Sequence, residues 1–151
     1  MESGGMIAQT IQLALAPVFV LVAIGNIMNI LSTRLGRVVD RSRKLQELHP
    51  VTSGAEHDAV VREIRIVARR ITLISRAILV LVLSGLTIGL VVALLFIEEF
   101  ATINLRLVVA SVFFLAIALL MGALFLFMLE TRNATAALRI PNSYLELDRN
   151  L

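Results

Sequence analysis

Few side chains in this protein are of a kind that does chemistry. His49 and His57 are its only histidines, with Glu56 and Asp58 beside the second. Two imidazoles and two carboxylates are a set that can hold a divalent metal. They fall in a stretch that also carries Pro50, Ser53 and Gly54, the composition of a hydrated turn, and we read them as that turn. There is no His-Glu-x-x-His, no glycine-rich phosphate loop and no nucleophile elbow. With no cysteine anywhere, disulfides, thiolate chemistry and sulfur-bound metals are excluded. We expect no catalytic residue, no cofactor and no metal, and the chain does not read as an enzyme.

A second set of polar residues is more informative. Gln12, Asn26, Asn29 and Thr33 interrupt an otherwise apolar stretch, where each is costly in lipid unless it meets a partner or water. On a helix, at about 100° per residue from Asn26, Phe19 and Gln12 project near 20° and 40°. Thr33, Arg37 and Lys44 fall within about 20° of Asn26, and Arg41 lies near 60°. Leu35, Val38 and Leu45 lie at roughly 100–180°, on a different face. Phe19, Asn26, Thr33, Arg37, Arg41 and Lys44 are therefore the candidate pore-lining residues. If several copies met with this face inward, Asn26 and Thr33 would form polar rings above a basic vestibule, and basic rings favour anions. In the competing reading, the asparagines bond neighbouring helices of one subunit and the arginines mark one side of a membrane.

The elements that carry these residues are set by hydrophobicity. Apolar residues make up 58% of the 151 and charged residues 17%, against about 45–50% and 25% in a soluble domain. Residues 7–31, 77–97 and 107–129 hold no charge, giving runs of 25, 21 and 23. Each reaches the ~20 residues that cross a bilayer as a helix. The first run is expected to stay in the mature protein, because the only charged side chain before it is Glu2, where a signal peptide is basic. No acidic residue lies inside any run, so no buried carboxylate relay is expected.

Between the first two runs, Leu31, Leu35, Val38 and Leu45 keep to one helical face. Val60, Ile64, Val67, Ile71 and Ile74 do the same after the turn. Two long helices, near 6–48 and 55–97, are expected to form an antiparallel hairpin that projects about 20–25 Å from the membrane. Asp40 is expected to pair with Arg37 and Lys44 on its own helix.

Charge placement orients the chain. The hairpin holds Arg34, Arg37, Arg41, Arg43, Lys44, Arg62, Arg65, Arg69 and Arg70, and the tail holds Arg132, Arg139 and Arg149. The link between the second and third runs has Glu98, Glu99 and Arg106. A positive-inside bias puts the hairpin and C-terminus in the cytoplasm and the N-terminus outside. The net charge of +3 is then a topology signal, with anionic lipid or small ions as partners and no nucleic acid.

Gly85, Gly89 and Ala93 recur every four residues, and Gly122 with Ala118 offers a similar small surface on the third span. These are the expected helix-packing positions. Pro17 is expected to kink the first span. Leu138, Ile140, Tyr144, Leu145 and Leu147 suggest a tail lying on the protein or membrane surface.

The segments Leu15-Ala-Pro-Val-Phe-Val-Leu-Val-Ala-Ile-Gly-Asn-Ile, Leu35-Gly-Arg-Val-Val-Asp-Arg-Ser-Arg43 and Arg69-Arg-Ile-Thr-Leu-Ile-Ser-Arg-Ala-Ile78 carry a family resemblance. Over residues 8–130 the chain resembles the bacterial domain-of-unknown-function 2721 family, the Arg-Val-Val-Asp-Arg stretch being the most specific part. The resemblance implies a bacterial inner-membrane protein with three spans, and it brings no activity or ligand to transfer. The expected fold is an all-α integral membrane protein with three transmembrane helices, the first two extended into a cytoplasmic helical hairpin. Residues 1–151 form one membrane domain: spans near 7–31, 77–97 and 107–129, hairpin 32–76, tail 130–151. We expect a homo-oligomer with a channel-like pathway lined by the first helix. The alternative is a non-conducting scaffold or regulator whose basic hairpin binds a soluble partner or anionic lipid.

Overall fold

The computed structural model describes the backbone of residues 2–101 and 103–137, and side chains over 11–101 and 103–134. Three α-helices account for nearly all of it: α1 (Glu2–Leu48), α2 (Gly54–Ala101) and α3 (Arg106–Ala137). No strand occurs among the described residues. All three helices are long and apolar enough to cross a membrane. The 47 residues of α1 extend about 70 Å at about 1.5 Å per residue, twice what a bilayer core needs. The excess of α1 and α2 lies on the side of the turn at residues 49–53.

The turn is closed locally. His49 N and Val51 N donate to the carbonyls of Leu45 and Leu48 at 3.0 and 3.2 Å. Thr52 Oγ1 donates to the Leu48 carbonyl at 3.0 Å, so the last acceptors of α1 are capped. Gly54 starts α2 at φ 61°, a left-handed conformation that glycine adopts without strain from a Cβ. α1 runs through Pro17 as one helix. At the other link, Asn104 Oδ1 accepts from Arg106 N at 3.4 Å as α3 begins.

α2 is the central element, packed along its length against both neighbours, whereas α1 and α3 barely meet. The packing repeats every seven residues. Ile24, Leu31, Val38 and Leu45 are buried on α1, and Val60, Val67, Ile74, Leu81 and Ile88 on α2. A second buried row on α2, Ala77, Ser84 and Val91, matches Ala116, Ala123 and Glu130 on α3. A strict seven-residue repeat is the signature of supercoiled helices whose seams stay in register. The two seams differ in kind. Large aliphatic side chains separate α1 from α2, while alanine and serine let α2 and α3 approach closely. In the second seam, Ser84 Oγ donates to the Ala116 carbonyl at 2.8 Å. Large apolar side chains elsewhere, such as Leu79, Leu86, Phe114 and Met121, point outward, as expected where hydrocarbon is the solvent.

Helix ends lie slightly beyond the expected ones, and α3 continues past 129 to Ala137. The tail residues Leu138, Ile140, Tyr144, Leu145 and Leu147, with Arg139 and Arg149, lie outside the described residues. Asp40 forms neither expected ion pair; the hairpin's pair is instead interhelical, from Arg41 to Glu63. Arg41 reaches across to α2, where its guanidinium meets both oxygens of Glu63.

Candidate functional site

The outer face of α1 follows from its seam. With Leu31, Val38 and Leu45 turned onto α2, the opposite side is left uncovered. Phe19 (70% exposed), Asn26, Thr33, Arg37 and Lys44 all stand on that exposed side. Thr33 Oγ1 donates to the Asn29 carbonyl of its own helix at 2.9 Å, so its hydroxyl is partly satisfied locally. Arg41 belongs to a different set. It lies at the border with α2, where Nε and Nη2 donate to Glu63 Oε1 and Oε2 at 2.7 and 2.8 Å. That bond to Glu63 raises the pKa of Arg41, against a lowering by partial desolvation. Its charge is matched within the chain, which leaves Arg37 and Lys44 as the basic members of the exposed row.

Of the small residues, Gly85 packs on α1, where a Cβ would meet Ile24 at 3.7 Å and Leu21 at 3.8 Å. Gly122 lies close to Val80, 3.8 Å from the same construction. Gly89 and Ala93 face outward, away from both seams. The every-fourth-residue stripe is thus split, because α2 packs with a repeat of seven. The His49 and His57 rings meet edge-on at 4.6 Å, and Thr52 Oγ1 is 3.4 Å from His57 Nδ1. Among the described residues, no three His, Asp or Glu side chains come together as a metal set.

The cluster absent from the sequence reading is built on Glu130. This carboxylate is fully buried at the end of the third apolar run. Arg70 of α2 donates through Nε and Nη2 to Glu130 Oε1 at 3.1 and 2.9 Å. Arg34 of α1 brings Nη2 to 3.0 Å from Oε2, although no aligned hydrogen bond reaches that oxygen. Arg34 Nη1 donates to Thr131 Oγ1 at 3.2 Å, and its guanidinium lies 5.1 Å from the Phe127 ring centroid. Both arginines are about a quarter exposed, while the carboxylate they hold is fully buried. One carboxylate thereby joins all three helices, and Arg34 ties α1 to α3 here. Glu130 stands one residue past the third charge-free run and is buried all the same. Charge-free runs were counted along the chain, whereas burial is set by register: Glu130 continues the row of Ala116 and Ala123, and Arg70 that of Ala77 and Ser84. That seven-residue spacing was the available signal.

At the opposite end α1 and α3 part around a cavity of about 680 Å³, with Leu13, Pro17, Val91 and Phe113 in its lining and Glu98, Glu99 and Arg106 at its edge. Arg106 Nε lies 3.9 Å from Glu98 Oε1.

No curated protein and no solved structure matches the chain. Residues 14–140 match the family described as "Protein of unknown function (DUF2721)", against an expected 8–130. With most of its length inside that match and three helices able to span a bilayer, the chain belongs to the DUF2721 family.

Proposed function

We propose that the protein forms a closed homo-oligomeric ring in the bacterial inner membrane, with a channel-like pathway lined by the outer face of α1. The N-terminus lies outside, and the hairpin and C-terminus lie in the cytoplasm. What carries the reading is the uncovered polar row of α1. Asn26 sits at membrane depth and exposed, where an amide facing hydrocarbon is costly. Another copy of the same face, or water enclosed by several copies, satisfies it. Phe19 narrows the path, Asn26 and Thr33 line it, and Arg37 and Lys44 form a basic mouth that favours small anions. Arg41 contributes less than its position suggests, since Glu63 pairs with it. Cyclic symmetry is required because three helices cannot enclose a pathway alone. The reading assigns no catalytic chemistry and no cofactor.

Purified protein in planar bilayers is expected to conduct, and Arg37→Glu to shift permeability from anions towards cations. Silent bilayers at verified protein density contradict the reading. The scaffold reading rests on the exposed charged side chains around the turn, including Glu47, Glu56 and Arg62. It predicts instead a specific crosslinked partner at residues 47–57 in cells and no conductance.

A further inference from the structure

One side of α2 touches neither neighbour. Its two buried rows face α1 and α3, and the side away from them carries a third row at alternating steps of three and four, a spacing that keeps side chains on one face of a helix. Arg62, Arg65, Arg69, Thr72 and Arg76 form the half nearer the turn, and all are exposed. Leu79, Leu83, Leu86 and Leu90 continue the row and are exposed as well. The change from cations to leucines falls between residues 76 and 79. Among the described residues, none of these four guanidiniums makes an ion pair or a side-chain hydrogen bond. The nearest carboxylate on the row is Asp58, about 27 Å along α2 from Arg76 at about 1.5 Å per residue. Depth adds a constraint. Arg70 meets Glu130 at the end of the third apolar run, and Arg76 lies six residues further along α2, about 9 Å deeper. A guanidinium left in hydrocarbon is costly, so it has to reach an anion or water. Helical side chains lean towards the N-terminus of their helix, which for α2 is the turn, so Arg76 leans towards the headgroup level.

We propose that this face of α2 holds a net-anionic glycerophospholipid, of the phosphatidylglycerol type. The acyl chains lie along Leu79, Leu83 and Leu86, the Arg76 guanidinium meets the phosphate, and Arg69 and Arg65 stand above it as further positive charge. Each basic side chain near the surface strengthens the attraction for a negative headgroup, whereas the ammonium of phosphatidylethanolamine would stand beside like charge. A second copy is a poorer occupant. Docked through its own α2, it would set arginine against arginine. The outer face of α1, with Arg37, Arg43 and Lys44 against Asp40 and Glu47, is net positive as well. The lipid site is separate from the pathway along α1, and its readout involves no conductance.

The full chain is reconstituted in nanodiscs holding equal phosphatidylglycerol and phosphatidylethanolamine, extracted mildly, and weighed by native mass spectrometry. Retained phosphatidylglycerol is expected to exceed phosphatidylethanolamine by about tenfold. Arg69→Gln with Arg76→Gln should remove that excess. Arg43→Gln with Arg132→Gln takes the same charge from α1 and α3 and should leave the excess in place, which separates a site on α2 from general attraction to a basic protein. Helix content is checked by circular dichroism. If the paired variant at 69 and 76 fails to fold, Thr72→Asp, which sets a carboxylate between the two arginines, should lose the excess instead. Equal retention of the two lipids by the wild type overturns the proposal, as does an equal loss from both arginine pairs. So does efficient disulfide crosslinking of Leu83→Cys between copies in native membranes, because protein would then cover the face.

Discussion

At one end of the molecule α1 and α3 are drawn together by a buried carboxylate; at the other they part around a cavity. Near Glu130, Arg34 and Arg70 converge from two helices on a fully buried acid. Near Pro17 and Phe113 the lining is apolar, and charged groups stand at its edge. The α2–α3 seam of small residues runs between the two levels and keeps α3 on α2 throughout. Specificity resides in close packing and polar contacts. Apolar helices in lipid gain little from hiding hydrophobic surface, so close packing and polar contacts decide which helices meet and in what rotation. The clamp fixes the inward side of α1 near Arg34 and so leaves Asn26 and Arg37 on its outer side.

The largest effect is expected at the Glu130 cluster. Glu130→Gln keeps the shape but leaves two cations around a neutral amide, at a cost on the order of 3 kcal/mol. Denaturation in mixed micelles should show that loss. Replacing all three by Met, at positions 34, 70 and 130, should recover most of it, because removing the whole ionic group also removes its desolvation cost. A triple variant less stable than Glu130→Gln would mean that packing, not charge pairing, holds this end.

The two ends should also answer added volume differently. Ala123→Leu forces a larger side chain into the close α2–α3 seam and should cost about 1–3 kcal/mol in the same assay. The open end has room, so Ala110→Leu is expected to be tolerated. The smallest effect is expected from Ser84→Ala, at about 0.6 kcal/mol, the usual size of one interhelical hydrogen bond in a membrane.

Much of this architecture was legible in the residues. The charge-free runs 7–31, 77–97 and 107–129 matched three helices, since span length follows from bilayer thickness. The faces of Leu31, Val38 and Leu45 and of Val60, Val67 and Ile74 were readable because helical periodicity is local. The clamp was not, for a physical reason. Glu130 adjoins an apolar run, where a carboxylate reads as the point at which the chain leaves the membrane. Whether it meets water or arginine depends on the register between α2 and α3, which no single helix determines. Asp40 illustrates the same limit on a smaller scale. Its neighbours in sequence were suitable cations, yet the pair that forms is the interhelical one between Arg41 and Glu63.

A pathway along α1 requires its polar row to meet another copy. The chain has no native cysteine, so Asn26→Cys provides a single site for oxidative crosslinking in native membranes. Leu79→Cys, on the outward face of α2, serves as the comparison. We predict rapid disulfide-linked dimers through position 26 and few through position 79. Monomers at position 26 with efficient dimers at position 79 would contradict the account, because the polar row of α1 would then face lipid while α2 formed the interface.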